Sequence, residues 1–399
     1  MRTARSVAAL TLALLASGAC RSAGDDTASA NDRWALTAPA PLPPRHGALV
    51  LAVAGKGLVL GGSDESPCPP SASCRTAPRP LRDAAVYDPA ADTWTKAPPA
   101  PVGLGPLVPT SSAVVGDTAY VLVQGGQRRA FLSYDLSDRT WRRLPPPPQV
   151  STAWFALSTL GRDVVAYVSS HDPGLNRRDH RPPDQAYDPA ARRWRELPQD
   201  PLGPSSGRTM VATDTGTVLL ADERPRYPLV RPPATETAVL DPRTRRWRRL
   251  PDSPPGISGS ALPAGGRVVN LLLQHGAGEA ADKWGRRYPY GSGVLDVRSR
   301  RWSALPPGRP DVPTGTGGPG FASGAGLVVA SGVALDVATG QWTRVPTAGA
   351  APLPRTGEGS AVLSTSTGPV VLEFGGATWR GDWSTADLSG AGLVWRPAG

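Results

Sequence analysis

The sequence lacks any hydrophobic segment long enough to cross a lipid bilayer. Its one continuous apolar run, Val7–Ala16, lies close to the start and follows two basic residues, Arg2 and Arg5. A membrane-spanning helix needs about 20 apolar residues, and a short apolar run behind a basic start has the layout of an export signal. The sequence therefore predicts an exported chain that no helix holds in the membrane.

The residues just before Cys20 are small, and the segment Ser17-Gly18-Ala19-Cys20 resembles a bacterial lipoprotein cleavage site. The resemblance implies that residues 1–20 hold a signal with a lipoprotein cleavage site before Cys20, which carries the lipid, with ordinary signal cleavage nearby as the alternative. Residues 21–30 are small and polar and are predicted to form a tether. The chain would then reach its destination outside the cytoplasm, either anchored to the membrane surface by lipid or secreted.

Cysteine is scarce, with three residues in 399. If Cys20 is the anchor, Cys68 and Cys74 remain, six positions apart in one segment. A closely spaced pair of cysteines outside the cytoplasm favours a disulfide, and a metal pair is the alternative. No histidine lies beside these cysteines, so the sequence predicts a disulfide that closes a small loop, and no metal site.

Lysine is nearly absent, so the excess of positive charge comes almost entirely from arginine. The chain carries 43 basic and 33 acidic residues, a formal charge of +10. Many arginines flank tryptophans, as in Arg245-Arg246-Trp247, which is typical of a solvated basic rim. Export also argues against nucleic acid as a partner, and weak attraction to anionic lipid or wall polymer is the alternative.

One spacing recurs along the chain: an Asp, a Trp six residues later, and a Pro four residues after the Trp. The six copies are Asp88/Trp94/Pro98, Asp135/Trp141/Pro145, Asp188/Trp194/Pro198, Asp241/Trp247/Pro251, Asp296/Trp302/Pro306 and Asp336/Trp342/Pro346. Successive Trp residues lie 40 to 55 positions apart, the period of a four-stranded propeller blade. The repeat predicts an all-β propeller and says little about function.

Each copy of the repeat reads as two strands joined by a turn. A short apolar run such as Ala84–Tyr87 precedes the Asp, which favours a turn because its carboxylate accepts hydrogen bonds from the backbone that follows. The Trp begins the next strand, and its large apolar surface is expected to pack between neighbouring blades.

A second signal is a glycine pair upstream of the Asp, seen at Gly61-Gly62, Gly125-Gly126 and Gly375-Gly376. With this diglycine, an apolar third strand and the Trp of the fourth, the sequence resembles the Kelch-repeat family from about residue 31 to the end. The resemblance implies a β-propeller similar to the propeller domain of galactose oxidase-like proteins, here as a single domain over residues 31–399.

The two ends of the sequence complement each other. Gly392–Ala398 aligns with a third strand and its turn, Ala84–Ala90, whereas the missing fourth strand is found at the other end, where Asn31–Pro39 aligns with Ala91–Pro98. We therefore predict seven blades, the last one completed by the N-terminal strand. Such closure removes the exposed sheet edges of an open array.

Antiparallel order places the Asp-to-Trp turns on one face of the ring and the loops after the second and fourth strands on the other. The loops after the second strand are long and dissimilar: Ser63–Arg82, Ser170–Asp184, Asp222–Glu236, His275–Gly291 and Ala377–Ser389. Variable loops on a rigid scaffold commonly carry binding sites. The candidate ligand-binding residues are His171, His180, Tyr227, His275, Trp284, Arg286, Tyr288, Tyr290, Trp379 and Trp383.

Enzymatic interpretations were weighed against this binding interpretation. Resemblance to the galactose oxidase domain implies copper ligands such as Tyr288, Tyr290 and the loop histidines, but the Tyr–Cys cross-link lacks a free Cys. Resemblance to sugar-isomerising propellers implies acid–base roles for His275, Arg286 or Asp184, although no spacing marks a base. We therefore assign no catalytic residue, no metal and no cofactor.

Together these observations favour a non-catalytic, lipid-anchored propeller that binds a protein or a carbohydrate through its loop-rich face and acts as a monomer. The alternative is a secreted carbohydrate-active enzyme, of sugar isomerase or oxidase type, with its site near the propeller axis. A third is a purely structural surface protein whose loops fill the channel mouth.

Overall fold

The computed structural model of the chain describes residues 33–69, 72, 74, 78–124, 129–148, 154–169, 181–203, 205–223, 234–253, 261–271, 274–275, 289–290, 293–312, 322–330, 332–347, 349–350, 355–381 and 385–397. Within these residues the secondary structure is strand, apart from a short 3-10 helix at Pro109–Ser111. Their sheets form a seven-bladed β-propeller, as the repeat predicted.

Each blade is a four-stranded antiparallel sheet. Blade 1 contains β2 (Leu49–Val53), β3 (Lys56–Leu60), β4 (Ala84–Asp88) and β5 (Thr93–Ala97). Blade 2 contains β6 (Ser112–Val115), β7 (Thr118–Val123), β8 (Ala130–Asp135) and β9 (Thr140–Leu144). Blade 3 contains β10 (Phe155–Leu160), β11 (Asp163–Val168), β12 (Gln185–Asp188) and β13 (Arg193–Glu196). Blade 4 contains β14 (Ser205–Thr213), β15 (Gly216–Glu223), β16 (Thr235–Leu240) and β17 (Trp247–Ser253).

The remaining blades follow the same order with two additions. Blade 5 contains β18 (Leu262–Ala264), β19 (Arg267–Asn270), β22 (Gly293–Asp296) and β23 (Arg301–Ser303), with β20 (Gln274–His275) and β21 (Pro289–Tyr290) paired in its long loop. Blade 6 contains β24 (Ala322–Gly324), β25 (Leu327–Ala330), β26 (Val333–Asp336) and β27 (Trp342–Arg344). Blade 7 contains β28 (Thr356–Thr365), β29 (Gly368–Trp379), β31 (Gly392–Trp395) and β1 (Trp34–Leu36), with β30 (Ala386–Leu388) added beside β29.

The pairing of the first described strand is compatible with the ring closure predicted from the sequence. Strand β1 pairs antiparallel with β31, with Trp34 opposite Trp395 and Leu36 opposite Leu393. The first strands of neighbouring blades also contact one another in a complete cycle, including β28 of blade 7 against β2 of blade 1. The last blade is therefore built from both ends of the described chain.

The Asp-to-Trp turn has the same geometry in different blades. In blade 3 the Asp188 carboxylate accepts the backbone N–H groups of Ala190 and Ala191, each at 2.9 Å. These hydrogen bonds favour the charged form and lower the pKa of Asp188. The fourth residue after the Asp is left-handed: Arg192 has a φ of 52°, and blade 6 places Gly340 there, with a φ of 74°. The carboxylate therefore holds the turn even where a non-glycine residue occupies the left-handed position.

The repeat Pro has a role that the sequence did not reveal. Its carbonyl accepts a hydrogen bond from the indole N–H of the Trp in the next blade. The pairs are Trp141 to Pro98 (2.9 Å), Trp194 to Pro145 (2.7 Å), Trp247 to Pro198 (2.8 Å), Trp302 to Pro251 (3.0 Å), Trp342 to Pro306 (2.9 Å) and Trp34 to Pro346 (3.0 Å). In blade 1, Trp94 donates to the Thr37 hydroxyl at 3.1 Å instead. The interblade bonds thus run around the whole ring.

The core is divided among the blade interfaces. Buried apolar side chains of the described residues form seven clusters, one for each pair of neighbouring blades. The repeat tryptophans pack on these clusters: Trp194 covers the one between blades 2 and 3, and Trp34 is buried in the one between blades 6 and 7. The prediction that the repeat Trp packs between blades is confirmed.

The predicted disulfide between Cys68 and Cys74 is present, in the loop after the second strand of blade 1. A disulfide of this kind indicates an oxidising compartment. Within the described residues no helix has the length and apolarity to span a membrane. The predicted signal, the lipidation residue Cys20 and the tether lie outside the described residues.

Candidate functional site

Most of the predicted ligand-binding residues lie outside the part of the chain that the structure describes. These are His171, His180, Tyr227, Trp284, Arg286, Tyr288 and Trp383. For His275 and Tyr290 the backbone alone is described, and it places them on β20 and β21, two strands of one ladder in the loop of blade 5. Those residues remain sequence predictions, and the site is built here from the side chains that are described.

Trp379 is the predicted site residue whose side chain the structure describes. It lies half-buried at the end of β29, and its indole N–H donates to the Thr356 hydroxyl at 3.2 Å. Residues 377–389, which the sequence analysis treated as a loop, contain the end of β29 and the added strand β30. The backbone of Trp379 is therefore fixed by the pairing of β29 with β30, and its side chain is bonded to the first residue of β28.

A cluster of charged residues lies beside Trp379, at the contact between blades 7 and 1. We call it the seam cluster and define it as His46, Arg355, Glu358 and Glu373. Arg355 donates to Glu373 at 2.7 Å, and the Glu373 side chain is only 1% exposed. Burial raises the pKa of Glu373 to about 7; Arg355 opposes the shift and the nearby charge of Glu358 adds to it.

His46 and Glu358 complete the seam cluster through the backbone of blade 7. The N–H of Gly47 donates to the carbonyl of Gly357 at 2.6 Å, so His46 lies against the residues that precede Glu358. A Cβ atom at Gly357 would stand 3.5 Å from the His46 Cβ, in ordinary contact. Burial lowers the pKa of His46 and raises the pKa of Glu358, because it removes the water that stabilises the charged form of each side chain.

Three polar atoms of the seam cluster are buried without a hydrogen-bond partner within the described protein: Nε2 of His46, Nε of Arg355 and Oε2 of Glu373. Unpaired buried polar atoms are uncommon and each one calls for an explanation. The cluster therefore combines a carboxyl that changes charge near neutral pH with polar atoms not used by the fold.

Three members of this cluster, Arg355, Glu358 and Glu373, are not among the residues predicted from the sequence, although two of them carry a signal. Glu373 is the one charged residue in the apolar segment Val370–Phe374, and Glu358 stands between two glycines. Periodicity alone does not show that the segment around Glu358 meets His46, because that contact joins blade 7 to blade 1.

Asp184, considered above as an acid–base residue, has a structural role. It lies buried beneath Arg208, which donates to both of its oxygens at 3.1 and 2.8 Å and also to Asp200 at 3.0 Å. Burial opposes ionisation of Asp184, but the charge and hydrogen bonds of Arg208 outweigh it and lower the pKa of the Asp184 carboxyl. Arg181 pairs with Asp200, so the network contains two charges of each sign. The carboxylate of Asp184 is therefore used by hydrogen bonds and ion pairs inside the fold.

The loop-rich face also exposes two large apolar side chains. Trp154 is 58% exposed just before β10, and Val108 is 59% exposed just before the 3-10 helix Pro109–Ser111. This helix contacts β10, so the two residues lie on neighbouring blades at the same face, and we call them together the Val108–Trp154 patch. Both lie in connections from a fourth strand to the next first strand, and these connections are on the loop-rich face. The third large exposed apolar residue, Leu36, lies on the outermost strand of blade 7.

Among the described side chains no group of three or more His, Cys, Asp or Glu residues is placed to hold a metal ion. Comparison of the chain with models of known protein families and with characterised proteins gives no match. The function is therefore argued from the geometry of the loop-rich face.

Proposed function

We propose that this chain is an exported, lipid-anchored Kelch-type propeller that binds a protein or a glycan through its loop-rich face. The observation that carries the proposal is the Val108–Trp154 patch. The repeat tryptophans are half-buried and hydrogen-bonded between blades, whereas Trp154 is more than half exposed on the face with the variable loops. Exposed aromatic rings favour binding because they offer a large apolar surface at a small cost in side-chain entropy.

Trp379 and the seam cluster support the same face as the binding surface. Trp379 is half-buried where β29 ends, and its bonding partner Thr356 directly follows Arg355 of the seam cluster in the chain. A binding surface commonly combines an apolar anchor with a few polar groups that fix orientation.

The binding test compares Trp154→Ala with Leu36→Ala, a matched control whose side chain is equally exposed but lies outside the face. Glycan arrays screen for sugars, and a protein recovered by affinity capture is tested by interferometry with the purified chain. We expect at least a tenfold loss of affinity in Trp154→Ala and less than a twofold change in Leu36→Ala, as for an anchor residue at an interface. Equal affinities in the two variants would contradict this use of the face.

Export and lipid anchoring have a separate test, because they depend on residues 1–20. Cells expressing the full chain are labelled with a fatty acid analogue and fractionated. Incorporation of label that disappears in Cys20→Ser supports the anchor. An exported chain with no label supports ordinary signal cleavage, and retention of the chain in the cytoplasm contradicts export.

A carbohydrate-active enzyme is the second candidate, and the pKa of Glu373 near 7 is the observation that favours it. A carboxyl that titrates near neutral pH is suited to general acid–base catalysis. An acid or base must reach the reacting atoms, however, and the Glu373 side chain is only 1% exposed. Incubation with each sugar that binds the chain tests this candidate: product formation that is lost in Glu373→Gln would favour the enzyme over the binding module.

A further inference from the structure

A recess lies between blades 1 and 2, and neither Val108 nor Trp154 is among its described lining residues. It is a cleft of about 550 Å³, and four of its lining residues are arginines: Arg79, Arg82, Arg129 and Arg143. Arg79 and Arg82 come from the loop after the second strand of blade 1, and Arg129 and Arg143 come from blade 2. None of the described lining residues is acidic, but Arg79 is paired at 2.6 Å with Asp64, which lies outside the lining. We call this recess the arginine cleft.

The blade 1 side of the arginine cleft is held firmly in place. Leu81 donates to the carbonyl of Gly62 at 3.0 Å and accepts from the N–H of Leu104 at 2.7 Å. Beside it, Nε of Arg82 donates to the carbonyl of Ala100 at 2.7 Å. The Cys68–Cys74 disulfide closes the same loop further upstream. The backbone at Arg82 is therefore already ordered, so a bound ligand does not pay the entropy cost of ordering this segment.

The internal repeat shows what is unusual about Arg143. In blade 4 the equivalent residue is Arg249, since Arg143 pairs with Leu132 in its sheet as Arg249 pairs with Ala238. Arg249 forms ion pairs with Glu236 at 2.7 Å and Asp252 at 3.2 Å.

The two acidic partners of Arg249 have no counterpart in blade 2. The same alignment places Ala130 at the position of Glu236 and Pro146 at that of Asp252. Ala130 itself lines the arginine cleft. The structure gives Arg143 no carboxylate partner among the described residues. Arg249 is neutralised by carboxylates within blade 4, whereas the equivalent Arg143 of blade 2 lines the cleft without such a partner.

We propose that the arginine cleft binds an acidic peptide segment of a partner protein. Guanidinium groups remain charged at any physiological pH and match carboxylates with paired hydrogen bonds. The volume lies within the range of ligand sites, about 300–1,000 Å³. Pro80, Val102 and Val123 give the cleft an apolar floor, and the described lining contains no aromatic ring on which a sugar would stack. These features favour a peptide with several Asp or Glu residues over a saccharide.

The inference rests on the proposed binding role of the loop-rich face, but it uses none of the residues of the Val108–Trp154 patch. The test uses the full chain and a fluorescent hexaglutamate peptide, with hexaglutamine as the neutral probe, followed by anisotropy. The test variant is the double substitution Arg129→Gln/Arg143→Gln. The matched control is Arg249→Gln, which removes the equivalent arginine from blade 4.

We expect saturable binding of hexaglutamate, none of hexaglutamine, and at least a tenfold loss of affinity in the double variant. The control should change affinity less than twofold. An equal loss in the control would overturn the proposal in favour of diffuse attraction to a basic surface. Absence of hexaglutamate binding would overturn it too, as would binding of a sulfated saccharide at the cleft in place of the peptide. Trp154→Ala separates the two sites: if it abolishes binding to the face but leaves hexaglutamate affinity unchanged, the cleft acts on its own.

Discussion

At the scale of single residues, each residue of the repeat forms a specific hydrogen bond. The Asp holds the turn by accepting backbone N–H groups, as Asp188 does from Ala190 and Ala191. The Trp donates to the carbonyl of the Pro in the preceding blade, as Trp194 does to Pro145 at 2.7 Å. Asp, Trp and Pro therefore keep their spacing because a turn within one blade and a bond between two blades both depend on it.

The contribution of the interblade bond is measured by Trp194→Phe, which keeps an aromatic ring but removes the indole N–H. We expect the free energy of unfolding to fall by about 1 kcal/mol, the usual contribution of one hydrogen bond. Denaturant unfolding of the purified chain gives the value. Trp154→Phe is the matched control, because Trp154 is exposed and packs on none of the interblade clusters, and it should change stability by less than about 0.5 kcal/mol. A loss of stability as large in Trp154→Phe would show that the loss in Trp194→Phe does not come from the interblade hydrogen bond.

At the scale of elements, buried arginines join strands to the loops of the decorated face. Arg208 at the start of β14 reaches the carbonyl of Val168 in blade 3 and both oxygens of Asp184. Arg45 does the same within blade 1, with Gly61 and Asp83. In blade 7, Arg355 pairs with Glu373 on the neighbouring strand. The same type of residue therefore serves as a brace in two blades and as part of the seam cluster in a third.

Removal of Asp184 should be costly, because it leaves the charge of Arg208 buried beside a single remaining carboxylate. We expect Asp184→Ala to lower the free energy of unfolding by about 3–5 kcal/mol, as for a broken buried ion pair. The double variant Asp184→Ala/Arg208→Met leaves Arg181 and Asp200 balanced and should recover a large part of the loss. Asp387→Ala, at an exposed pair, should have an effect below about 1 kcal/mol. A double variant no more stable than the single one would mean that packing, not charge balance, governs the site.

The seam cluster predicts a stability that depends on pH near neutrality. The pKa of Glu373 rises from about 4.3 in the unfolded chain to about 7 in the fold. A group whose pKa is raised by folding stabilises the fold fully at pH values below its pKa in the unfolded chain. This contribution is lost as the pH rises through its pKa in the fold, about 7. Glu373→Gln should therefore gain stability over the parent chain, on the order of 3 kcal/mol at pH 8, with little difference near pH 4.

The measurement for Glu373→Gln is the difference in unfolding free energy from the parent chain between pH 4 and pH 8. Glu196→Gln, an exposed carboxyl on β13, serves as the control and should show no such trend. If the parent and Glu373→Gln curves stay parallel over this range, the Glu373 carboxyl is not the group that titrates.

At the scale of the whole molecule, stability depends on closing the ring. Strand β1 supplies the outer edge of blade 7, and its Trp34 is buried in the cluster between blades 6 and 7 beside Trp395. Without β1, strand β31 becomes an open sheet edge that other chains can pair with. Closure therefore protects the last blade from aggregation as well as filling its core.

Removal of residues 33–38 should lower the midpoint of thermal unfolding and produce oligomers in size-exclusion chromatography. The point variant Trp34→Ala should cost about 3–5 kcal/mol, as for other buried tryptophans. Leu36→Ala, in the same strand but 63% exposed, is the control and should stay monomeric with nearly unchanged stability. A shortened chain that remains monomeric and unfolds like the parent would show that β1 is dispensable for closure.

The sequence by itself determined the four-stranded plan of the blades, their number and the disulfide, because each depends on local spacing or on a repeat that can be aligned with itself. Periodicity located Asp188 and Trp194, and the short Cys68–Cys74 separation favoured their pairing. It also placed Trp379 on the loop-rich face.

The tertiary structure alone decided which side chains meet. Gly357 and His46 are more than 300 residues apart, and they meet only when blade 7 is packed against blade 1. The pKa of Glu373 follows from burial at that contact, which no local pattern encodes. The arginine cleft likewise forms only between two packed blades, and the missing acidic partners of Arg143 become visible when its strand is superposed on that of Arg249. Local repeats fix the frame, whereas contacts between distant segments fix the chemistry.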